Sequence, residues 1–152
     1  MNEAVVAQQD RLCVETMGTT VTTLCFTHRD VYVCNVGDSR AYRLRAGEFL
    51  QISIDHVAQR AVGQVKKAPI TQYLGIRPEE FRLEPHIAKG ELQRGDKYLL
   101  CSDGLTDMLT NYELADIMEH SAQAENSVQE LVDAALEKGG KDNITAIVCH
   151  IL

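Results

Sequence analysis

The sequence predicts an α+β fold. Short β-branched and apolar runs separated by turn residues fill the first hundred positions, two helices with clear start signals follow residue 110, and an apolar run closes the chain. With 152 residues, 45% of them hydrophobic, the chain fits one domain spanning 1–152. A domain of that size buries enough surface to fold without a disulfide or zinc staple.

Residues 2–14 read as a weakly patterned helix with Val5, Leu12 and Cys13 on one face, ended by Gly18. Thr19 to Phe26 is rich in β-branched residues and reads as a strand; His28-Arg29-Asp30 turns into a second strand, Val31 to Val36. That second strand is apolar on both faces, which requires cover on each side by a sheet or by helices. Gly37 to Arg40 supplies turn chemistry for a hairpin whose return strand is Ala41 to Arg45, and Ala46-Gly47-Glu48 turns again into Phe49 to Ile52. Residues 56–68 suit a short helix or an ordered loop equally. Leu83 to Ala88 reads as a strand, Arg94-Gly95-Asp96 as a turn, and Lys97 to Ser102 as a buried strand.

Thr110-Asn111-Tyr112-Glu113 is a capping box that starts a helix with Leu114, Ile117 and Met118 as its apolar stripe. Asn126 and Gln129 form a second such start. Val128, Leu131, Val132, Ala135 and Leu136 then recur at helical spacing until Gly139-Gly140 stops the helix. Ile144 to Ile151 is the closing strand.

Fifteen Lys and Arg against twenty-two Asp and Glu leave a net charge of −7, and no basic stripe is present. Nucleic acid is therefore not an expected partner. No apolar run approaches the ~18–20 residues of a membrane helix, and the first residues lack the pattern of a signal peptide. Five Cys without a C-x-x-C pair point to a reducing compartment and a cytoplasmic location.

Three aspartates share one context. Asp38 follows the strand ending Val36-Gly37, Asp103 follows Leu99-Leu100-Cys101-Ser102, and Asp142, with Asn143, immediately precedes the closing strand. Carboxylates at strand ends are rigidly held at the rim of a sheet, where oxygen-preferring divalent cations such as Mg²⁺ and Mn²⁺ bind. Each motif alone reads equally as turn chemistry, so spacing leaves both readings open.

Taken in order, Met17-Gly18-Thr19-Thr20, Val36-Gly37-Asp38-Ser39-Arg40-Ala41-Tyr42, Asp55-His56, Gln72-Tyr73-Leu74-Gly75, Gly95 to Asp107 and Lys141-Asp142-Asn143-Ile144-Thr145 resemble the metal-dependent Ser/Thr protein phosphatases of the PPM type, in their bacterial branch. The resemblance implies a β-sandwich flanked by helices, an αββα four-layer fold, with a two- or three-metal site at one end. It implies Asp103 and Asp142 as catalytic metal ligands and Asp38 as ligand to a looser third ion. It also implies Mg²⁺ or Mn²⁺ as cofactor, a metal-held water that attacks phosphorus directly, and phosphoproteins as substrates, countering a Ser/Thr kinase.

The family's Asp-Gly-x-Gly-Gly block, whose Asp bridges two metals, has no counterpart among these 152 residues, nor does the upstream phosphate-gripping Arg. The expectation is a partial domain lacking its first strands and first helix, weakly active or inactive, with exposed sheet edges that favour self-association. The same departure leaves a non-catalytic pseudophosphatase or interaction module as the alternative. Of the remaining polar groups, His56 is expected in a polar turn or helix start, Arg40 in an ion pair rather than on phosphate, Asp107 at the approach to a helix, and Cys101 in the core.

Overall fold

Alternation of apolar and polar residues sorts seven strands into two antiparallel sheets. The computed structural model describes residues 1–59 and 67–152. The first sheet has the order β1-β2-β5, from β1 (Val21–Phe26), β2 (Asp30–Val36) and β5 (His86–Glu91). The second has the order β4-β3-β6-β7, from β3 (Arg40–Arg45), β4 (Glu48–Gln51), β6 (Lys97–Cys101) and β7 (Ala146–His150).

The expected hairpin between Val31–Val36 and Ala41–Arg45 does not form. β2 pairs with β1 and β5, whereas β3 pairs with β4 and β6, so Gly37-Asp38-Ser39 carries the chain from one sheet to the other. Both faces of β2 have apolar residues because the strand is central, which a local reading turned into a hairpin arm. The strand expected at Leu83 starts later, at His86, since Pro85 cannot donate to a ladder.

Helices cover the outer face of the four-stranded sheet. Tyr42, Leu44, Leu99 and Cys101 of β3 and β6 pack against Leu105 and Leu109, Leu114 and Met118 of α3 (Asn111–His120), and Leu131 and Ala135 of α4 (Ala124–Glu137). The Thr110 capping box is formed as expected. The second one is not: α4 starts at Ala124, with Gln123 at its N-cap, and Asn126 lies inside the first turn. On the sheet's other face Tyr98, fully buried, meets Phe26 of β1 edge-on, ring centroids 5.2 Å apart, and joins the two sheets. The outer face of the three-stranded sheet leaves Ile87 70% exposed.

The first helix, α1 (Asn2–Leu12), buries Gln9 rather than the expected apolar face, and Leu12 and Cys13 are exposed. Polar contacts hold it instead: Asn2 accepts from the Gly75 N–H at 2.7 Å and donates to the Ile76 carbonyl at 2.9 Å, while Arg77 pairs with Asp10 at 2.6 Å. Most of the segment 56–68 lies outside the described residues. Its start is extended, with Val57 bridged to Ile70.

Candidate active site

The crossover between the sheets and the end of β6 converge on a cavity of about 440 Å³. Asp38, Arg40, Asp55, Lys67, Asp103 and Asp107 line it.

Asp38 is placed by a tightly held backbone. Gly37 has φ +109°, and a Cβ there would come within 2.3 Å of Thr20 Cγ2, so only glycine fits. His56 clamps the same residue: its Nδ1 accepts the Gly37 N–H at 3.1 Å, and its own N–H donates to the Gly37 carbonyl at 3.0 Å. Fully buried Asn35 donates to the carbonyls of Gly37 and Ile54. Held this way, the Asp38 side chain is 7% exposed and its Oδ2 has no hydrogen-bond partner among the described residues. Burial, reinforced by the nearby Asp103 charge, pushes its carboxyl above the ordinary carboxylate range, with Lys67 partly offsetting this.

Asp103 begins a short helix, α2 (Asp103–Thr106), which the sequence reading did not foresee. One turn on, Asp107 donates its N–H to the Asp103 carbonyl at 2.8 Å, which brings the two carboxylates to one side. The Lys67 ammonium donates to Oδ2 of Asp103 and, at 2.9 Å, to Oδ2 of Asp107, and lies 3.7 Å from Oδ2 of Asp38. Burial alone would lower the Lys67 ammonium, but its hydrogen bonds to the two aspartates hold it above its ordinary value.

Asp142 is brought close by its backbone only. A Cβ on Gly104 would fall 3.4 Å from the Asp142 carbonyl carbon, so its loop packs against α2. Ser102 fastens that loop, donating to the Asn143 carbonyl at 3.1 Å and accepting the Thr145 N–H at 3.0 Å. The Asp142 carboxylate is turned back to accept the Asn143 N–H at 2.7 Å, and the residue is exposed outside the cavity lining.

Arg40 lies in the ion pair expected of it. Its Nε and Nη2 donate to Asp55 at 2.8 and 2.6 Å, and its Nη1 to the Tyr42 hydroxyl at 3.1 Å. The hydrogen bond to Asp55 holds the guanidinium above its usual value. Cys101 is a core residue: burial pushes its thiol up to about 12, so it is no nucleophile at neutral pH.

Among the described lining residues, four aspartates stand against Arg40 and Lys67, an excess of two negative charges. A phosphoryl group would be repelled unless cations were added. The donors suit a hard divalent ion: they are carboxylates, and the buried Oδ2 of Asp38, without a hydrogen-bond partner among the described residues, is an oxygen such an ion would satisfy. In the arrangement seen, no set of three His, Cys, Asp or Glu among the described residues is spaced to cage an ion, and the Lys67 ammonium lies between the carboxylates. Asp55-His56 is one of the ordered blocks of the sequence, but what His56 holds, like the place of Lys67, depends on contacts distant in the chain.

Comparison with known proteins shows the family and the fold. The chain is 33% identical over 162 aligned residues to the serine/threonine protein phosphatase PstP of Mycobacterium tuberculosis, covering 99% of this chain and 31% of that protein. Among solved structures, PppA, a key regulatory component of T6SS in Pseudomonas aeruginosa, superposes with TM-score 0.86 at 33% identity over 99% of this chain and 65% of that one. The catalytic domain of PstP in complex with two manganese ions superposes with TM-score 0.83 at 34% identity, over 97% of this chain and 65% of that one. This chain thus spans about a third of the full PstP length and about two thirds of the solved domains. A model of the protein phosphatase 2C family matches residues 2–139, and the chain belongs to that family.

Proposed function

We propose that this chain forms the carboxylate rim of a Ser/Thr phosphoprotein phosphatase dependent on Mg²⁺ or Mn²⁺. The observation that carries this reading is the meeting of buried Asp38 with Asp103 in a cavity whose described lining holds four aspartates against two cations. Asp38 and Asp103 would hold divalent ions, with Asp142, on the loop fixed against Gly104, as a further ligand. Such ions, when bound, lower the pKa of water and neutralise phosphoryl oxygens. Arg40 has five N–H donors, of which Asp55 and Tyr42 occupy three, so two remain for a phosphoryl oxygen.

The activity would remove phosphate from phosphoserine and phosphothreonine and so oppose a Ser/Thr kinase. Because no Asp-Gly-x-Gly-Gly sequence occurs within these 152 residues, we expect this chain alone to turn over weakly or not at all, as a single partial domain. A reducing, cytoplasmic compartment suits its five unpaired cysteines, and among the described residues no helix is long and apolar enough to cross a membrane.

Hydrolysis of p-nitrophenyl phosphate with and without Mn²⁺ tests the proposal. The expected result is slow or absent turnover, and any turnover should depend on Mn²⁺ and vanish in Asp103→Asn. Hydrolysis that persists without metal, or in Asp103→Asn, overturns it.

A further inference from the structure

Lys67 is a charged group in the cavity wall to which the phosphatase reading gives no role. Its ammonium hydrogen-bonds Asp103 and Asp107, the latter at 2.9 Å, and stands 3.7 Å from Asp38. The oxygen it faces on Asp38 has no hydrogen-bond partner among the described residues, although that side chain is only 7% exposed. The ammonium thus stands within 4 Å of an oxygen of each of the three carboxylates.

We propose that Lys67 is the resident cation of this site: an intramolecular counter-ion that holds Asp38, Asp103 and Asp107 together and must withdraw before a divalent metal binds them. The inference rests on the reading of Asp38 and Asp103 as metal ligands. Lysine is chemically suited to the role, being a compact point charge with three donors on a flexible stem. It satisfies several carboxylates at once, yet brings only one charge to a site whose acidic groups attract two. At equal distance a divalent ion is attracted twice as strongly, though it must shed bound water, and the competition reduces its apparent affinity.

Withdrawal is physically accessible. The Lys67 side chain is 42% exposed, so its charge can return to water without crossing the core. Arg40 cannot act this way, because Asp55 and Tyr42 hold three of its donors. Asp107 gains a part as well: it anchors the ammonium beside Asp103 and keeps the competing cation in place.

Isothermal titration calorimetry of the 152-residue chain with Mn²⁺ reads this directly, without phosphatase turnover. Lys67→Gln should bind Mn²⁺ about five- to tenfold more tightly than the parent, the range for loss of several screened ion pairs. Lys67→Arg, which keeps the charge, should stay within about twofold of the parent, and added NaCl should narrow the parent–Gln gap. Melting curves of each variant, taken in parallel, establish that it is folded. Equal or weaker Mn²⁺ binding by folded Lys67→Gln, with binding abolished by Asp103→Asn, overturns the role of Lys67 and leaves the metal-site reading standing. Absence of Mn²⁺ binding in both the parent and Lys67→Gln overturns both.

Discussion

Gly104 lies so close to Asn143 that a Cβ on the glycine would come within 2.3 Å of the Asn143 carbonyl oxygen. This contact fastens the Asp142 loop to the helix that begins with Asp103. Gly104→Ala should therefore destabilise the fold by about 2 kcal/mol, within the range for overpacking a tight contact, and loosen Mn²⁺ binding through displacement of the loop. Urea unfolding and metal titration of the same variant measure both; an unchanged midpoint would show that the backbone yields freely.

Asp38 is kept buried beside Asp103, and its Oδ2 has no hydrogen-bond partner among the described residues. Asp38→Asn removes a buried charge that Asp103 opposes by more than Lys67 supports it, and should stabilise the protein in EDTA by about 1 kcal/mol while weakening Mn²⁺ binding. Opposite signs in thermal melts recorded with EDTA and in Mn²⁺ titrations are the expected pattern. A variant less stable than the parent in EDTA would remove the argument.

Asp96 is 1% exposed and accepts from Arg45 at 2.6 and 2.7 Å, from the Gln93 N–H at 2.9 Å and from the Tyr98 hydroxyl at 3.0 Å. Burial alone would raise its carboxyl, but these donors outweigh burial and hold it below the ordinary value of 3.8. Its contribution is therefore complete above that value and disappears as pH falls through the lower folded one. Asp96→Ala should cost about 3 kcal/mol at neutral pH, as for breaking a buried ion pair. The gap from the parent in urea midpoints should shrink below pH 4; a constant gap would contradict the assignment.

The Thr110 capping box sets the start of α3, with Thr110 Oγ1 accepting the Glu113 N–H at 3.3 Å and Glu113 accepting the Thr110 N–H at 2.9 Å. Thr110→Ala should lower stability by about 1 kcal/mol. The Lys138 ammonium, then the Thr110 groups, hold the Glu113 carboxyl down to about 2. An NMR titration should find Glu113 ionised well below the 4.5 of a free glutamate, and Lys138→Ala should move its midpoint up.

Strands β1 and β7 are open edges of their sheets, and the three-stranded sheet exposes Tyr32 and Ile87 on its outer face. Unpaired strand edges are templates for pairing between chains. Sedimentation over a range of concentrations should detect self-association, and Ile147→Lys, on an edge strand, should reduce it. A single monomeric species at the highest concentration would argue against edge pairing.

Periodicity and start signals sufficed for α3, for the body of α4 and for most strands, because those features are set by neighbours within one or two turns of chain. The ordered blocks around Asp38, Asp103 and Asp142 likewise identified the family. Other features were settled only by contacts between distant residues. Whether Gly37-Asp38-Ser39 made a hairpin or a crossing depended on β5 and β6 competing as partners, fifty or more positions along. That Asp38 meets Asp103 in one cavity while the Asp142 carboxylate turns to its own backbone, and that Lys67 enters between them, follows from burial and from charges brought together by the fold. Local sequence encodes backbone preference and cap chemistry; the identity of a side chain's neighbour, and so its charge environment, exists only once the sheets are stacked.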